Sequence, residues 1–391
     1  MANVEVTDYT AGNPSDDHTT GIQNAVNAAA AGDTVHFSSG TYYIRRGHNA
    51  TAKYGVLYKP GVWYKADPGT IITTVDGEGE VWFFVAPDGG SDATFTGFEF
   101  DHKGTTRLIP AGSPQNNFAI GCANASSNIV VSDCKFINNS GNQCIFINYD
   151  NSLGTNYRIN NNEFINMGYG VPGNDNNDDH SSIYISGHNG WVYDNKFINS
   201  RRGNITAIEL HGMGFNVFAN TAHVGGNFCI FASTDSDATG SVYGNTAVDT
   251  RGVILWPFSG GAVRDVSIYG NTIETNQIGT IRGVRPNVNP EQAVLKDITI
   301  YNNILNEVYT STEASDCISI ALRVDGFTVS ENVCTGWPGF PISFQALDSS
   351  WIFKNILLLN NSFYDINTGN PQTSTVVKAG GTYVNYYESN T

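Results

Sequence analysis

The sequence predicts an all-β chain, a single-domain solenoid made by stacking β-coils, and three observations point there. An Asn returns in short hydrophobic cassettes at 162, 195, 220, 245, 271, 303, 332 and 361, with Asp133 read as the same position one coil earlier. The steps between these positions run from 25 to 33 residues, inside the period range that marks stacked-repeat architectures. Charged residues make up 14% of the chain, beside 42 Gly and 12% aromatics, a mixture suited to short strands joined by Gly and Asn turns. The segments flanking each Asn alternate apolar and polar, the period of a half-buried strand. A solenoid grows coil by coil and remains one unit, so the 391 residues need not divide into several domains.

The chain begins with an alternating stretch at residues 4–9. Ile22, Ala25, Val26 and Ala29 then recur three and four apart, which predicts an amphipathic helix that starts after Asp16-Asp17 and ends by Gly32. Strands are expected at 33–37, 38–44, 54–58, 63–65, 70–74, 81–85 and 94–100, punctuated by Pro-Gly turns. Residues 101–118 break the rhythm and read as a loop. From Ile129 onward each coil has a strand, the Asn turn, a second strand and a variable loop. Parallel stacking would place successive Asn side chains about 4.8 Å apart, close enough for a hydrogen-bonded ladder. After Asn367 the chain reads as a polar tail with strands at Val376-Val377 and Tyr383–Tyr387.

The run Gly21-Ile-Gln-Asn-Ala-Val-Asn-Ala-Ala-Ala-Ala-Gly-Asp-Thr-Val-His-Phe-Ser-Ser-Gly-Thr-Tyr-Tyr-Ile44 resembles the N-terminal cap of the pectin-lyase-like right-handed parallel β-helix superfamily. That superfamily holds polysaccharide lyases, hydrolases, epimerases and phage tailspikes. The resemblance implies a right-handed parallel β-helix over residues 46–391, with a capping helix and strand over 1–45. A helix over the open end would cover an otherwise unpaired sheet edge. It further implies a polysaccharide substrate, an extracellular place (secreted or virion-associated) and, as in tailspikes, a homotrimer.

The formal charge of −16 repels nucleic acid and anionic membrane surfaces, so neither is an expected partner. No apolar run is long enough to span a bilayer, and no leader is expected in this chain. Six cysteines at 122, 134, 144, 229, 317 and 334 lack metal-ligand spacing and read as thiols buried inside coils, with a Cys317–Cys334 bridge left open.

Counting along the strand that precedes each cassette gives the residues expected on one outward face. They are Phe146, Asn148 and Asp150; Tyr184, Ser186 and His188; Glu209 and His211; Phe231, Ser233 and Asp235; and Trp256. Later coils add Ser319, Ala321 and Arg323, then Ser343 and Gln345. Aromatics suit sugar rings, and clustered carboxylate, His and Tyr are acid–base groups. The predicted catalytic set is Glu209, Asp178, Asp179, His180, His211 and Tyr184. Asp150, His188, Arg202, Phe231, Asp235, Arg251, Trp256 and Arg282 are the predicted substrate contacts, the arginines being suited to carboxylate or sulfate groups on a sugar.

Hydrolysis needs two carboxyl groups, about 5 Å apart for retention or about 6.5–9.5 Å for inversion. Glu209 with Asp178 or Asp179 could meet either spacing. Elimination needs a base and a group that neutralises a uronate, roles open to Tyr184, His180 or His211 with Arg202 or Arg251. Tyr169-Gly170 and Asp178-x-His180 resemble the Tyr-Gly and Asp-Pro-His motif of mannuronan epimerases, without the Pro. No cofactor or metal is expected. Calcium on the acidic run 174–180 is a lesser alternative, since the run offers oxygen ligands without EF-hand spacing. Glycosidic hydrolysis is the leading expectation, with lyase or epimerase chemistry and non-catalytic glycan adhesion as alternatives.

Overall fold

The computed structural model describes all residues except 1, 13–16, 47–52, 76–77, 79, 104–116, 140–142, 169–179, 201–204, 234–235, 258–260, 276–280, 284–293, 308–315, 338–340, 347–348, 365–375 and 391; of 275, 281–283, 376–377 and 379 it describes the backbone only. The chain forms two compact units, Met1–Thr206 and Ala207–Thr391.

The first unit is a parallel β-solenoid of three sheets. One coil runs Ile129–Ser132 in sheet A, Lys135–Ile137 in sheet B and Gln143–Ile147 in sheet C. Each strand pairs in parallel with its equivalent one coil on, as Val131 with Ile159, Phe136 with Phe164 and Ile145 with Ile183. The chain turns sharply between sheets A and B at a residue of positive φ, filled by Asp133, Asn161 and Asp194. Asn and Asp tolerate that left-handed conformation better than other side-chain-bearing residues. Phe100, Phe136, Phe164 and Phe197, the middle residues of successive B strands, stack face to face inside with centroids 5.2, 4.8 and 4.8 Å apart.

The amphipathic helix is present as Thr19–Ala28, with Ile22, Ala25 and Val26 fully buried. Asp17 Oδ1 accepts the Thr19 amide at 3.0 Å, satisfying one of the N–H groups a helix start leaves open. The first strand is shorter than the alternation predicts, Asn3–Glu5, because Thr7–Thr10 forms a helical turn.

The second unit repeats the design, for example Ala238–Tyr243 in sheet A, Thr246–Val248 in sheet B and Gly252–Trp256 in sheet C. Its Asn ladder is continuous. The backbone N–H and side-chain Nδ2 of Asn220 both donate to Asn245 Oδ1, at 2.9 and 3.0 Å, and the pattern passes through Asn271, Asn303, Asn332 and Asn361 to Asn390. Each Nδ2 also reaches strand carbonyls, as Asn245 does to Val217 and Tyr243, so a buried amide is satisfied without water.

One ladder position is corrected. Asp133 is not a ladder position: it occupies the turn, and Cys134 stands in the ladder, its N–H donating to Asn162 Oδ1 at 2.9 Å. The polar tail carries the coils on. Val376–Ala379 and Thr382–Ser389 pair with Ile342–Gln345 and Ile352–Leu359, and Asn390 continues the ladder. All six cysteines are buried, and no helix among the described residues is long and apolar enough to cross a membrane.

Candidate functional site

In the first unit the outward face of sheet C carries an aromatic row. Strands alternate their side chains between faces, so Ile145 and Ile147 enter the core while Phe146 points out, level with Tyr184 on the next strand. The row runs from Tyr54 to Trp82 (ring centroids 5.1 Å apart), Trp82 to Phe118 (3.9 Å), Phe118 to Phe146 (5.6 Å) and Phe146 to Tyr184 (4.8 Å). Tyr149 packs against Trp82, Phe118 and Phe146. Gly121 is required beneath it, since a Cβ there would lie 2.2 Å from the Phe118 ring.

Polar groups frame this surface. Lys53 Nζ sits 3.7 Å above the Trp82 ring and 3.8 Å from Glu80, which accepts the Trp82 indole N–H at 2.9 Å. The Tyr184 hydroxyl donates to Asn151 Oδ1 at 3.1 Å. Burial, followed by a hydrogen bond with Tyr54, pushes the Tyr149 phenol well above its ordinary value. Tyr54, Trp82, Phe118 and Tyr149 were not anticipated. Trp82 and Phe118 open their strands, where alternation gives no direction, and only the small residue at 121 hints that a ring lies across the sheet.

Other expected residues of this unit have different surroundings. Asp150 is exposed and caps a turn, accepting the Asn124 amide at 3.0 Å and the Ser152 hydroxyl at 2.6 Å. Partial burial raises its pKa, but those hydrogen bonds outweigh it and hold the carboxyl below its usual range. Asn148 is fully buried and does not point outward; its amide donates to the Tyr157 hydroxyl and the Ser186 carbonyl. Ser186 is fully buried as well. His180 is buried at the start of the long strand His180–Tyr193, with Nε2 3.4 Å from Ser182 Oγ. His188 is half-buried on the same strand, level with Thr155. Asp178, Asp179 and Arg202, with most of the 174–180 run, lie outside the described residues.

In the second unit the outward face of sheet C presents a carboxylate–imidazole pair. The strand that ends at His211 buries Ile208 and Leu210 in the core, which turns Glu209 and His211 together to the other face. Their side chains meet, Glu209 Oε1 to His211 Nε2, at 2.8 Å; Glu209 keeps 16% of its side chain exposed and His211 11%. The neighbouring strand Asn227–Ala232 hydrogen-bonds to theirs. Its outward residues Ile230 and Ala232 pack with Ile254 and the partly exposed Trp256, level with Ala232, into an apolar floor.

Phe231 faces the core, fully buried, and so corrects the expected facing of this strand. Residues 228–232 are apolar throughout, so alternation had nothing to choose between, and a register shift between Asn227 and Cys229 offsets this strand from the next. Ser233 is buried too, its hydroxyl donating to the Gly261 carbonyl. Arg251 is half-buried directly before the Trp256 strand, and burial lowers its pKa. For Arg282 the backbone alone is described; it places the residue level with Ile254. Asp235 lies outside the described residues. No group of three His, Cys, Asp or Glu side chains comes together to hold a metal among the described residues. Tyr184 and His188 belong to the first unit, Glu209, His211 and Trp256 to the second.

No family model matches the chain and no curated relative was found. Solved structures do match. The tailspike protein of E. coli bacteriophage HK620, in complex with a pentasaccharide, aligns at TM-score 0.75 and 18% identity over 92% of this chain and 66% of its own. PfbA, a surface adhesin of Streptococcus pneumoniae, aligns at TM-score 0.66 and 17% identity over 93% of this chain and 90% of its own. The A-module of the Azotobacter vinelandii mannuronan C-5 epimerase AlgE4 aligns at TM-score 0.62 and 13% identity, over 98% and 99%. The chain has the parallel β-helix fold that this tailspike, adhesin and epimerase share.

Proposed function

We propose that the protein binds a polysaccharide outside the cell or on a virion and cleaves it by glycosidic hydrolysis, with Glu209 as the reacting carboxylate. The observation that carries this reading is the 2.8 Å contact between Glu209 and the mostly buried His211, beside the apolar floor of Ile230, Ile254 and Trp256. An imidazole N–H on one carboxylate oxygen fixes the group's orientation, and positioning of a reacting group is a large part of catalysis. A Trp ring beside it suits the apolar face of a sugar. Hydrolysis needs a second carboxyl. Asp178, Asp179 and Asp235 are the candidates for that role. No cofactor enters this scheme.

Binding without cleavage is the second reading, favoured by the aromatic row Tyr54–Trp82–Phe118–Phe146–Tyr184. Among the structural neighbours, the tailspike holds a pentasaccharide and PfbA is a surface adhesin, which lends support to both readings. A homotrimer is proposed on the tailspike likeness and is tested by sizing the chain in solution.

The deciding experiment digests a broad glycan panel and weighs the products. Fragments heavier by one water support hydrolysis, and their loss in Glu209→Gln with glycan binding kept assigns the residue. Unsaturated uronate ends would instead establish elimination and sink the hydrolase reading. Capture of a glycan without any fragmentation by the wild type would leave the adhesin reading. Asp235→Asn, Asp178→Asn and Asp179→Asn, assayed alongside, identify the second carboxyl.

A further inference from the structure

Cys317 and Cys334 lie in one coil of the second unit. Cys317 immediately precedes the sheet C strand Ile318–Ile320; the chain then runs through the sheet A strand Arg323–Ser330 and the Asn332 turn to Cys334, the middle residue of the sheet B strand Val333–Thr335. The two sulfurs, 17 residues apart in sequence, meet inside the coil at 3.0 Å, and both residues are buried. Cys334 stacks between Leu305 and Phe363, its partners on the neighbouring B strands, so its position is set by the ladder of coils and not by a loose loop.

We propose that Cys317 and Cys334 form a disulfide that closes this coil into a covalent ring across the corner between sheets B and C. The proposal is independent of the enzymatic reading. Two thiols already in contact need only about 1 Å of approach to reach bonding distance. The cross-link would stabilise chiefly by restricting the unfolded chain.

The oxidant is a small-molecule disulfide such as oxidised glutathione. One cysteine thiolate attacks it, forming a mixed disulfide and expelling one glutathione thiolate. The second cysteine thiolate then attacks the mixed disulfide, forming the Cys317–Cys334 bond and expelling the other. Two protons and two electrons leave the protein, and the oxidant is reduced to two thiols. Burial pushes the Cys317 thiol well above its ordinary range, so the reactive thiolate is scarce once the coil has closed. The bond therefore forms during folding and is slow to form in the finished fold.

The test refolds the full chain in a buffer of oxidised and reduced glutathione, blocks remaining thiols, and maps peptides without reduction. The expected result is a Cys317–Cys334 peptide pair with the other four of the six cysteines alkylated. Six alkylated cysteines, or linkage to Cys122, Cys134, Cys144 or Cys229, would overturn the proposal. A second measurement compares melting before and after reduction. Wild type melts several degrees higher when oxidised, and Cys317→Ala and Cys334→Ala lose that difference. An oxidised wild type that carries the bond but melts no higher than the reduced form removes the stabilising role.

Discussion

Glu209 and His211, two residues apart on one strand, share a 2.8 Å hydrogen bond on the outward face of sheet C. In a strand the i, i+2 relation puts both on one side. This makes the pair a local product of sequence, held rigid by the core residues Ile208 and Leu210 that alternate with them. Glu209→Gln should lower the cleavage rate by roughly 10²–10⁴-fold, the usual size of acid–base contributions. His211→Phe, which keeps ring volume but removes the N–H, should lower kcat with little change in KM, as expected when only the orientation of the reacting group is lost. Steady-state kinetics on the fragmenting glycan checks both.

The aromatic row of the first unit predicts a separate binding effect. Trp82 is buried, 6% exposed, and packs against Tyr54, Phe118 and Tyr149 at once, so Trp82→Ala removes the support beneath the partly exposed rings of Tyr54, Phe146 and Tyr149. Phe146→Ala removes the link to Tyr184. Each should raise the Kd for glycan about tenfold, worth about 1.4 kcal/mol, as read by titration calorimetry. Trp63 is 47% exposed on sheet A, and Trp63→Ala should leave the affinity unchanged.

The contrast between these two surfaces marks what the sequence could reveal. The Asn cassettes were legible because a buried turn needs an amide that both donates and accepts, and that requirement repeats with every coil. Asn390 escaped because Tyr386-Tyr-Glu-Ser389 before it lacks the apolar alternation of the other cassettes. Asp133 misled by one residue because Asp suits the positive-φ turn as well as Asn does. The outward direction of Glu209 was readable, its strand alternating apolar and polar. The direction of Phe231 was not: its strand is apolar on both faces, and one residue of slip exchanges the faces entirely. Which of the expected groups meet a substrate depends on loops, whose course no periodicity describes.

The ladder predicts a large and local stability effect. Asn271 accepts from the backbone and side chain of Asn245 through Oδ1, while its Nδ2 reaches Asn303, Val242 and Tyr269. Asn271→Ala strands a buried N–H and several carbonyls, each a desolvated group without its partner. The expected loss is roughly 3 kcal/mol, seen as an earlier transition in denaturant. Asn271→Asp keeps the acceptor and loses the donor, so it should be destabilised as well.

His36 predicts how stability responds to pH. Its Nδ1 lies 2.7 Å from Glu5 and its Nε2 3.0 Å from Asp67, and two ionised carboxylates are satisfied together when both ring nitrogens carry protons. The hydrogen bond to Glu5, opposed by partial burial and reinforced by Asp67, raises the pKa above its ordinary 6.5. Lys65 stands level with His36 on the adjacent strand. A raised folded-state pKa stabilises fully below the unfolded value, and that contribution disappears as pH climbs through the folded value. Wild type should therefore lose stability relative to His36→Gln between slightly acidic and alkaline pH. The difference should be no more than about 1 kcal/mol, because the groups are partly exposed and salt-screened. Denaturant titrations of both proteins across that range measure it. Parallel curves would show that the imidazole does not carry the charge the geometry asks for.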